Sequence, residues 1–170
     1  SAMFEVPREQ FVPEGRASLA YLDLDFSVGE HGAFVRRLVR PMVLAKLIQA
    51  AKVTEFDHVL DIGCATGYST ALLSRLAKSV VGLEEAPALV RRAGEALAGI
   101  GAANAKIVSG PLPAGCPKEG PYDLIFVQGA VEFVPAQLWE QLKDDGRLAC
   151  ILGGGPGSNA MIYSAMNGNL

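Results

Sequence analysis

Apolar positions along this chain alternate between short unbroken blocks and stripes of helical spacing. A block that opens at His58 and ends at Asp61-Ile62 reads as a buried strand, and after Gly67 the residues Leu72, Leu73 and Leu76 share one helical face. Pro41 suits a first helical turn, where a missing N–H costs nothing, and Leu44, Leu47, Ile48 and Ala51 form the stripe behind it. Pro87 opens a second such helix with Leu89, Ala93, Ala96, Leu97 and Ile100 facing inward and Gly101 closing it. Four more strands are expected at Ser79 to Glu84, Ala105 to Ser109, Tyr122 to Val127 and Arg147 to Leu152. A short helix after Pro135 should pack Leu138, Trp139 and Leu142. Strands alternating with helices imply right-handed crossovers. The fold class is therefore α/β, a Rossmann-like, doubly wound, mainly parallel sheet with helices on both faces. Ligands bind such sheets beyond the carboxyl ends of the strands, where Asp61, Glu84, Ser109 and Gln128 would gather.

The sharpest local pattern is Val59-Leu60-Asp61-Ile62-Gly63-Cys64-Ala65-Thr66-Gly67-Tyr68-Ser69, a strand, a glycine-spaced turn and a helix start. Gly63 and Gly67 suit a backbone that turns sharply and lets a ligand approach. The N–H groups of a helix start would serve a carboxylate or a phosphate equally well. Asp61 helps to decide, because a carboxylate at the root of the loop fits a cationic ligand better than a pyrophosphate. The spacing Gly63-x-Ala65-x-Gly67 also lacks the G-x-G-x-x-G of a nicotinamide site. A second apolar strand ends in Glu84-Glu85, roughly 20 residues on, the distance expected of a ribose-binding acid. A cofactor with a ribose, a sulfonium and an amino-acid end meets all these features: S-adenosyl-L-methionine, with S-adenosyl-L-homocysteine as product.

At these residues the chain resembles a class I methyltransferase. The flanks narrow the resemblance. Val6-Pro7-Arg8-Glu9-Gln10-Phe11-Val12-Pro13, Ala20-Tyr21-Leu22-Asp23 and Arg40-Pro41-Met42-Val43-Leu44-Ala45 look like the lead-in of the protein-L-isoaspartate O-methyltransferase family. Pro121 to Val127, Val134-Pro135 through Leu142-Lys143, and Gly146-Arg147-Leu148 fall where that family keeps its fourth strand, the next helix and the fifth strand. The resemblance implies one methyltransferase domain over 1–170, with a lead-in at 1–40, a cofactor-binding core at 41–152 and a flexible or incomplete part at 153–170. It implies cofactor contacts at Asp61, Gly63, Cys64, Ala65, Thr66, Gly67, Tyr68, Glu84, Glu85, Gly110, Pro111, Leu112 and Gln128. It also implies a protein or peptide carboxylate as acceptor. Such a carboxylate is ionised near neutral pH, so it attacks the methyl group directly and no metal or Ser-His-Asp set is needed.

Two departures from the family pattern bear on the acceptor. Relatives carry Gln-Thr-Ile-Ser-Gln-Pro before the Pro-initiated helix; this chain has Arg36-Arg37-Leu38-Val39-Arg40-Pro41. Arg37 and Val39 thus stand where the family keeps hydroxyls that hold the substrate carboxylate, making Arg37, Val39 and Arg40 the candidate catalytic positions. The three arginines form either a carboxylate clamp or a solvated basic face, and the latter is favoured because exposed arginine needs no special explanation. The family's Gly-Asp-Gly is Gly110-Pro111-Leu112 here, and Pro111 offers neither a side-chain acceptor nor an N–H. A catalytically silent cofactor-binding or partner-binding domain, or a methyltransferase with another acceptor, is the alternative.

Composition fits an ordinary soluble enzyme. In 170 residues half are hydrophobic, 19% are charged and the net charge is -3, which argues against nucleic acid as partner. No apolar run is long enough for a bilayer and no secretory signal stands at the start, so a cytoplasmic protein is expected. Cys64, Cys116 and Cys150 lack metal or disulfide spacing and read as free thiols, Cys150 in the core and Cys64 either in the cofactor pocket or merely a small residue in a tight turn. His58 reads as structural, and His31 as a turn residue before Gly32 or a substrate contact. The run Gly153 to Asn159 reads as flexible or turning and Met161 to Met166 as a sixth strand. The final antiparallel strand of the fold is expected to be missing, as in an incomplete copy of a longer protein.

Overall fold

A computed structural model describes residues 1–31, 34–153 and 159–165. A one-turn helix α1 (Ala2–Glu5) and two 3-10 turns (Arg8–Gln10 and Ala17–Leu19) lead into an antiparallel strand pair, β1 (Phe26–His31) and β2 (Phe34–Leu38). Then come α2 (Pro41–Ala51), β3 (His58–Ile62), α3 (Tyr68–Ser74), β4 (Ser79–Glu84), α4 (Pro87–Gly99), β5 (Ala105–Ser109), β6 (Tyr122–Val131), α5 (Ala136–Trp139), β7 (Leu142–Leu152) and β8 (Asn159–Ser164). The main sheet has the order β5-β4-β3-β6-β7-β8 and is parallel except for β8.

Side chains alternate across this sheet because successive residues of a strand point to opposite faces. Val59, Val80, Leu124 and Phe126 meet Leu44 and Leu47 of α2, Leu72 of α3 and Leu97 of α4 on one face. Leu60, Val81, Leu83, Ile125 and Val127 meet Leu138 of α5 on the other. Both faces are covered, so β3 and β4 are nearly unbroken apolar runs. The chain order reverses between β3 and β6, and ligand sites of such sheets open at that switch point.

The helical stripes predicted after Pro41 and Pro87 lie in α2 and α4, with Leu44, Leu47, Ala51, Leu89, Ala93 and Leu97 buried. Three expectations are corrected. The helix after Pro135 has only four residues, and Leu142 instead opens β7. The cause is Gln141, buried with Nε2 donating to Ala114 O and Gln137 O and Oε1 accepting from the Cys116 N–H, while its carbonyl accepts from the Tyr122 N–H and starts the ladder. An antiparallel strand, expected to be missing, is present: β8 pairs with β7 from Arg147 opposite Ser164 to Leu152 opposite Asn159. Arg36 and Arg37 do not flank a helix start; they lie within β2, a strand not foreseen. Gly32, Gly154 to Ser158 and Met166 lie outside the described residues, as do the side chains of His31 and Ala130.

All three cysteines are free and buried. His58 is structural as expected, with Nδ1 at 2.7 Å from Ser79 Oγ, Nε2 at 2.8 Å from Glu119 O and its ring stacked on Tyr122. Among the described residues no helix is long and apolar enough to cross a membrane.

Candidate active site

The turn after β3 is closed by its own hydrogen bonds. Gly63 and Gly67 have φ of 75° and 93°, and Ala65 adopts 51°, a region that side chains other than glycine enter at a cost. The Gly63 and Cys64 N–H groups donate to Leu83 O, the Gly67 N–H to Cys64 O, and the Ala65 N–H to Glu84 Oε2 at 2.9 Å. Four of the loop's donors are thereby consumed, which leaves a poor cradle for a phosphate. The two glycines differ in purpose. A Cβ on Gly67 would meet Ala93 of α4 at 3.1 Å, so this glycine serves helix packing. A Cβ on Gly63 would lie 2.9 Å from Arg36 Nη2 and 3.6 Å from Gln128 and Leu112, inside the candidate site.

Two acids anchor the turn. Asp61 is fully buried; Ser69 Oγ and Thr70 Oγ1 donate to its Oδ2 at 2.6 and 2.7 Å, and Gln128 Nε2 donates to Oδ1 at 2.9 Å. Burial pushes its pKa up against those three hydrogen bonds. Its work is to bind the start of α3 to β6, where an irregular register between Phe126 and Ala130 and the positive φ of Gly129 turn Gln128 toward it. Glu84, also fully buried, accepts from the Ala65 N–H and Arg36 Nη2 on Oε2 and from the Glu85 and Ala86 N–H groups on Oε1. Glu85 Oε2 accepts the Leu112 N–H at 3.4 Å, and the Gly110 N–H donates to Glu84 O, so the loop after β5 folds over the same place while Pro111 stays exposed.

Not every candidate residue faces that place. Tyr68 is buried against Phe11 and under the Arg8 guanidinium, 4.7 Å from its ring centre. Cys64 is turned to the sheet, with Sγ 3.2 Å from where Gly82 would carry a Cβ, and burial raises its thiol pKa well above the usual value. Of the two readings of Cys64, the structure thus favours the small residue in a tight turn over the cofactor pocket. Thr66 is fully buried with its hydroxyl unpartnered.

Beside the turn opens a cavity of about 840 Å³, walled by β2, one side of α2 and residues of β6, β7 and β8, with Gly63 of the turn. It brings Arg36, Arg37, Val39 and Arg40 to Gly63 and Gln128, with Lys46 and Asp25 on its rim. Arg40 is held by Asp25, which accepts from its backbone N–H at 2.8 Å and from its guanidinium at 3.2 and 3.3 Å. Arg37 is exposed on the opposite side of β2 from Leu38.

The architecture and the sequence have known counterparts. The family model described as Protein-L-isoaspartate(D-aspartate) O-methyltransferase (PCMT) matches residues 1–166. The chain belongs to this family. A protein-L-isoaspartate O-methyltransferase 2 of Anaeromyxobacter sp. (strain Fw109-5) is 40% identical over 147 residues, 86% of this chain and 59% of the relative. The enzyme named protein-L-isoaspartate O-methyltransferase in Roseiflexus sp. (strain RS-1) is 37% identical, over 90% of this chain and 68% of its own. A solved protein-L-isoaspartate O-methyltransferase aligns over 98% of the chain and 54% of its own with TM-score 0.86 at 27% identity. A Plasmodium falciparum structure titled as a putative family enzyme with S-adenosyl-L-homocysteine shares the fold, with TM-score 0.78 at 20% identity, over 98% of this chain and 81% of its own. The chain spans about three fifths of the length of the first of these relatives.

Within the isoaspartyl methyltransferase family frame, two side chains that sequence reasoning passed over tie the site together. Arg8, fully buried, donates Nε to Ala20 O at 2.8 Å and Nη2 to Val39 O at 3.0 Å, so the Val-Pro-Arg-Glu phrase fixes the backbone between β2 and α2. Its signal was the arginine of a short phrase flanked by apolar Val6, Phe11 and Val12. Asp25 was the other, an acid just ahead of β1 that receives Arg40.

Proposed function

We propose that the chain binds S-adenosyl-L-methionine at the turn between β3 and α3 and methylates a carboxylate of a protein or peptide, with an isoaspartyl residue as the acceptor class. The observation that carries the reading is Glu84, a buried carboxylate at the end of β4 that accepts the Ala65 N–H of the turn. A buried acid there suits a ribose hydroxyl, which donates a hydrogen bond, and repels a pyrophosphate. The consumed N–H groups of the turn argue the same way. Gly63 leaves room for close approach, while Leu112, held through Glu85, supplies an apolar wall for a flat base.

The cofactor supplies a methyl group on a positively charged sulfur. The protein's share is to strip water from the acceptor carboxylate and hold it in line. A carboxylate oxygen forms the new bond to the methyl carbon as the carbon–sulfur bond breaks toward sulfur, leaving a neutral ester and a thioether, and no proton moves. Because the nucleophile is ionised near neutral pH, no side chain is needed as a base. The acceptor lies in the 840 Å³ cavity, against Arg37, Val39 and Arg40. With three free, buried thiols we place the protein in the cytoplasm, and with a net charge of -3 we expect protein rather than nucleic acid as partner.

The test is transfer of a radiolabelled methyl group to an isoaspartyl peptide beside the aspartyl peptide of the same sequence. Slow labelling of the isoaspartyl peptide alone is expected. S-Adenosyl-L-homocysteine binding without methylation of either carboxylate would overturn the reading in favour of a silent cofactor-binding domain.

A further inference from the structure

Arg36 stands at the wall shared by the two halves of the site. Its Nη2 donates to Glu84 Oε2 at 2.8 Å, with Glu84 wholly buried and the Arg36 side chain 18% exposed. The same nitrogen lies 2.9 Å from the Cβ position of Gly63, and Nε of the guanidinium is buried with no hydrogen-bond partner. Arg36 also lines the acceptor cavity. A carboxylate has about four acceptor positions, and all four on Glu84 are filled: by Ala65, Arg36, Glu85 and Ala86. Three of the donors are backbone groups fixed by the fold. The fourth is the end of a long side chain on a strand at the cavity wall, and it is the one that a ribose diol can replace.

We propose that Arg36 is an acceptor-binding residue that Glu84 holds back until the cofactor arrives. The inference rests on the cofactor reading above. Ribose hydroxyls on Glu84 and a ligand against Gly63 both claim the space of the Arg36 guanidinium. Displaced, it turns into the cavity it already lines, where its fork can engage a carboxylate through two parallel N–H donors. The orphaned Nε marks the present position as incompletely satisfied, since a buried unpaired donor costs free energy that a bidentate partner restores. Arg40 is unsuited to this task because Asp25 already occupies its guanidinium.

Two consequences have opposite sign. Arg36 competes with the cofactor, so its removal tightens cofactor binding; Arg36 holds the acceptor, so its removal weakens acceptor binding. Cofactor and acceptor are also coupled, each improving the affinity of the other by the same factor. A structural strut would instead lose both affinities together.

The experiment is calorimetric titration of the wild type, Arg36→Gln and Arg36→Lys with S-adenosyl-L-homocysteine, then with an isoaspartyl peptide in its presence and absence. Arg36→Gln is expected to bind S-adenosyl-L-homocysteine about five- to tenfold more tightly than the wild type and the peptide at least tenfold more weakly. Arg36→Lys, which keeps the charge without the fork, should fall between, and it carries the test if the Gln variant fails to fold. In the wild type, saturating S-adenosyl-L-homocysteine should tighten peptide binding severalfold, and the coupling should vanish in Arg36→Gln. Unchanged or weaker S-adenosyl-L-homocysteine binding in both variants, or peptide binding indifferent to it, overturns the proposal and leaves the cofactor reading intact. No S-adenosyl-L-homocysteine binding to any of the three proteins overturns both.

Discussion

The turn after β3 and the wall formed by β2 meet at one guanidinium, yet they are built on opposite plans. In the turn, Asp61 and Glu84 are buried and their oxygens are met by loop N–H groups, by the Ser69 and Thr70 hydroxyls and by Gln128. Such a network is preorganised, and loss of one member leaves the others unpaired in a low dielectric. The β2 wall instead presents its arginines at or near the surface: Arg37 meets solvent, Arg40 sits in a surface pair with Asp25, and of the three only Arg36 reaches inward. The difference teaches where function can vary. Substitution at the wall changes what the cavity holds at little cost to the fold, whereas substitution of the buried acids that anchor the turn destabilises the sheet that supports it.

The largest effect should therefore come from Glu84→Ala. It strands the Arg36 guanidinium and three backbone N–H groups, and breaking a buried pair from one side costs about 3 to 5 kcal/mol. Chemical denaturation should show a loss of that order; a change below about 1 kcal/mol would place Glu84 among surface ion pairs and dissolve the contrast. Gly63→Val comes next. A β-branched side chain at φ 75° is strained and fills the volume between Arg36, Gln128 and Leu112. Binding of S-adenosyl-L-homocysteine should fall at least about 100-fold, or roughly 3 kcal/mol, while circular dichroism still reports a folded domain.

The wall predicts smaller and oppositely directed effects. Charge disappears as carboxylate and sulfonium react, so arginine stabilises the ionised acceptor more than the transition state and the site should bind tightly but turn over slowly. Arg37→Thr with Val39→Ser, which restores the family's hydroxyls, should raise kcat severalfold and raise KM. A drop in kcat would show that Arg37 assists the chemical step. The smallest effect concerns Asp25. Burial pushes its pKa up, but the hydrogen bonds and charge of Arg40 outweigh this and hold it below the usual 3.8. An acid with a depressed folded-state pKa contributes stability above its unfolded value and loses it as pH falls through the depressed one. Asp25→Asn should thus cost less than about 1 kcal/mol near neutral pH, and the difference from wild type should fade as pH falls through the depressed folded-state pKa of Asp25. A persistent difference in acid would assign the effect to packing.

Legibility in the sequence followed the same division. The strands β3 and β4 and the helices α2 and α4 are read from apolar rhythm and Pro starts because burial on one or both faces writes itself into every position. Asp61 and Glu84 were visible as acids closing apolar strands. That Asp61 is saturated by Ser69 and Thr70, 8 and 9 residues on across the turn, and by Gln128, 67 residues on, was not, since neither spacing leaves a local pattern. The β1 and β2 pair escaped notice because Arg36 and Arg37 interrupt any apolar alternation, and the length of the α5 helix because Gln141 ends it through long-range bonds. Arg36 itself was grouped with its neighbours; only the fold separates the arginine that reaches Glu84 from the one that meets Asp25.

The most direct test of the central claim, an adenosyl cofactor seated on Glu84 and Gly63, is calorimetric titration of the wild type and Gly63→Val with S-adenosyl-L-homocysteine and, separately, with NAD. The account predicts one-to-one binding of S-adenosyl-L-homocysteine to the wild type, none to Gly63→Val, and no heat with NAD for either. NAD binding, or S-adenosyl-L-homocysteine binding that survives in a folded Gly63→Val, would contradict it.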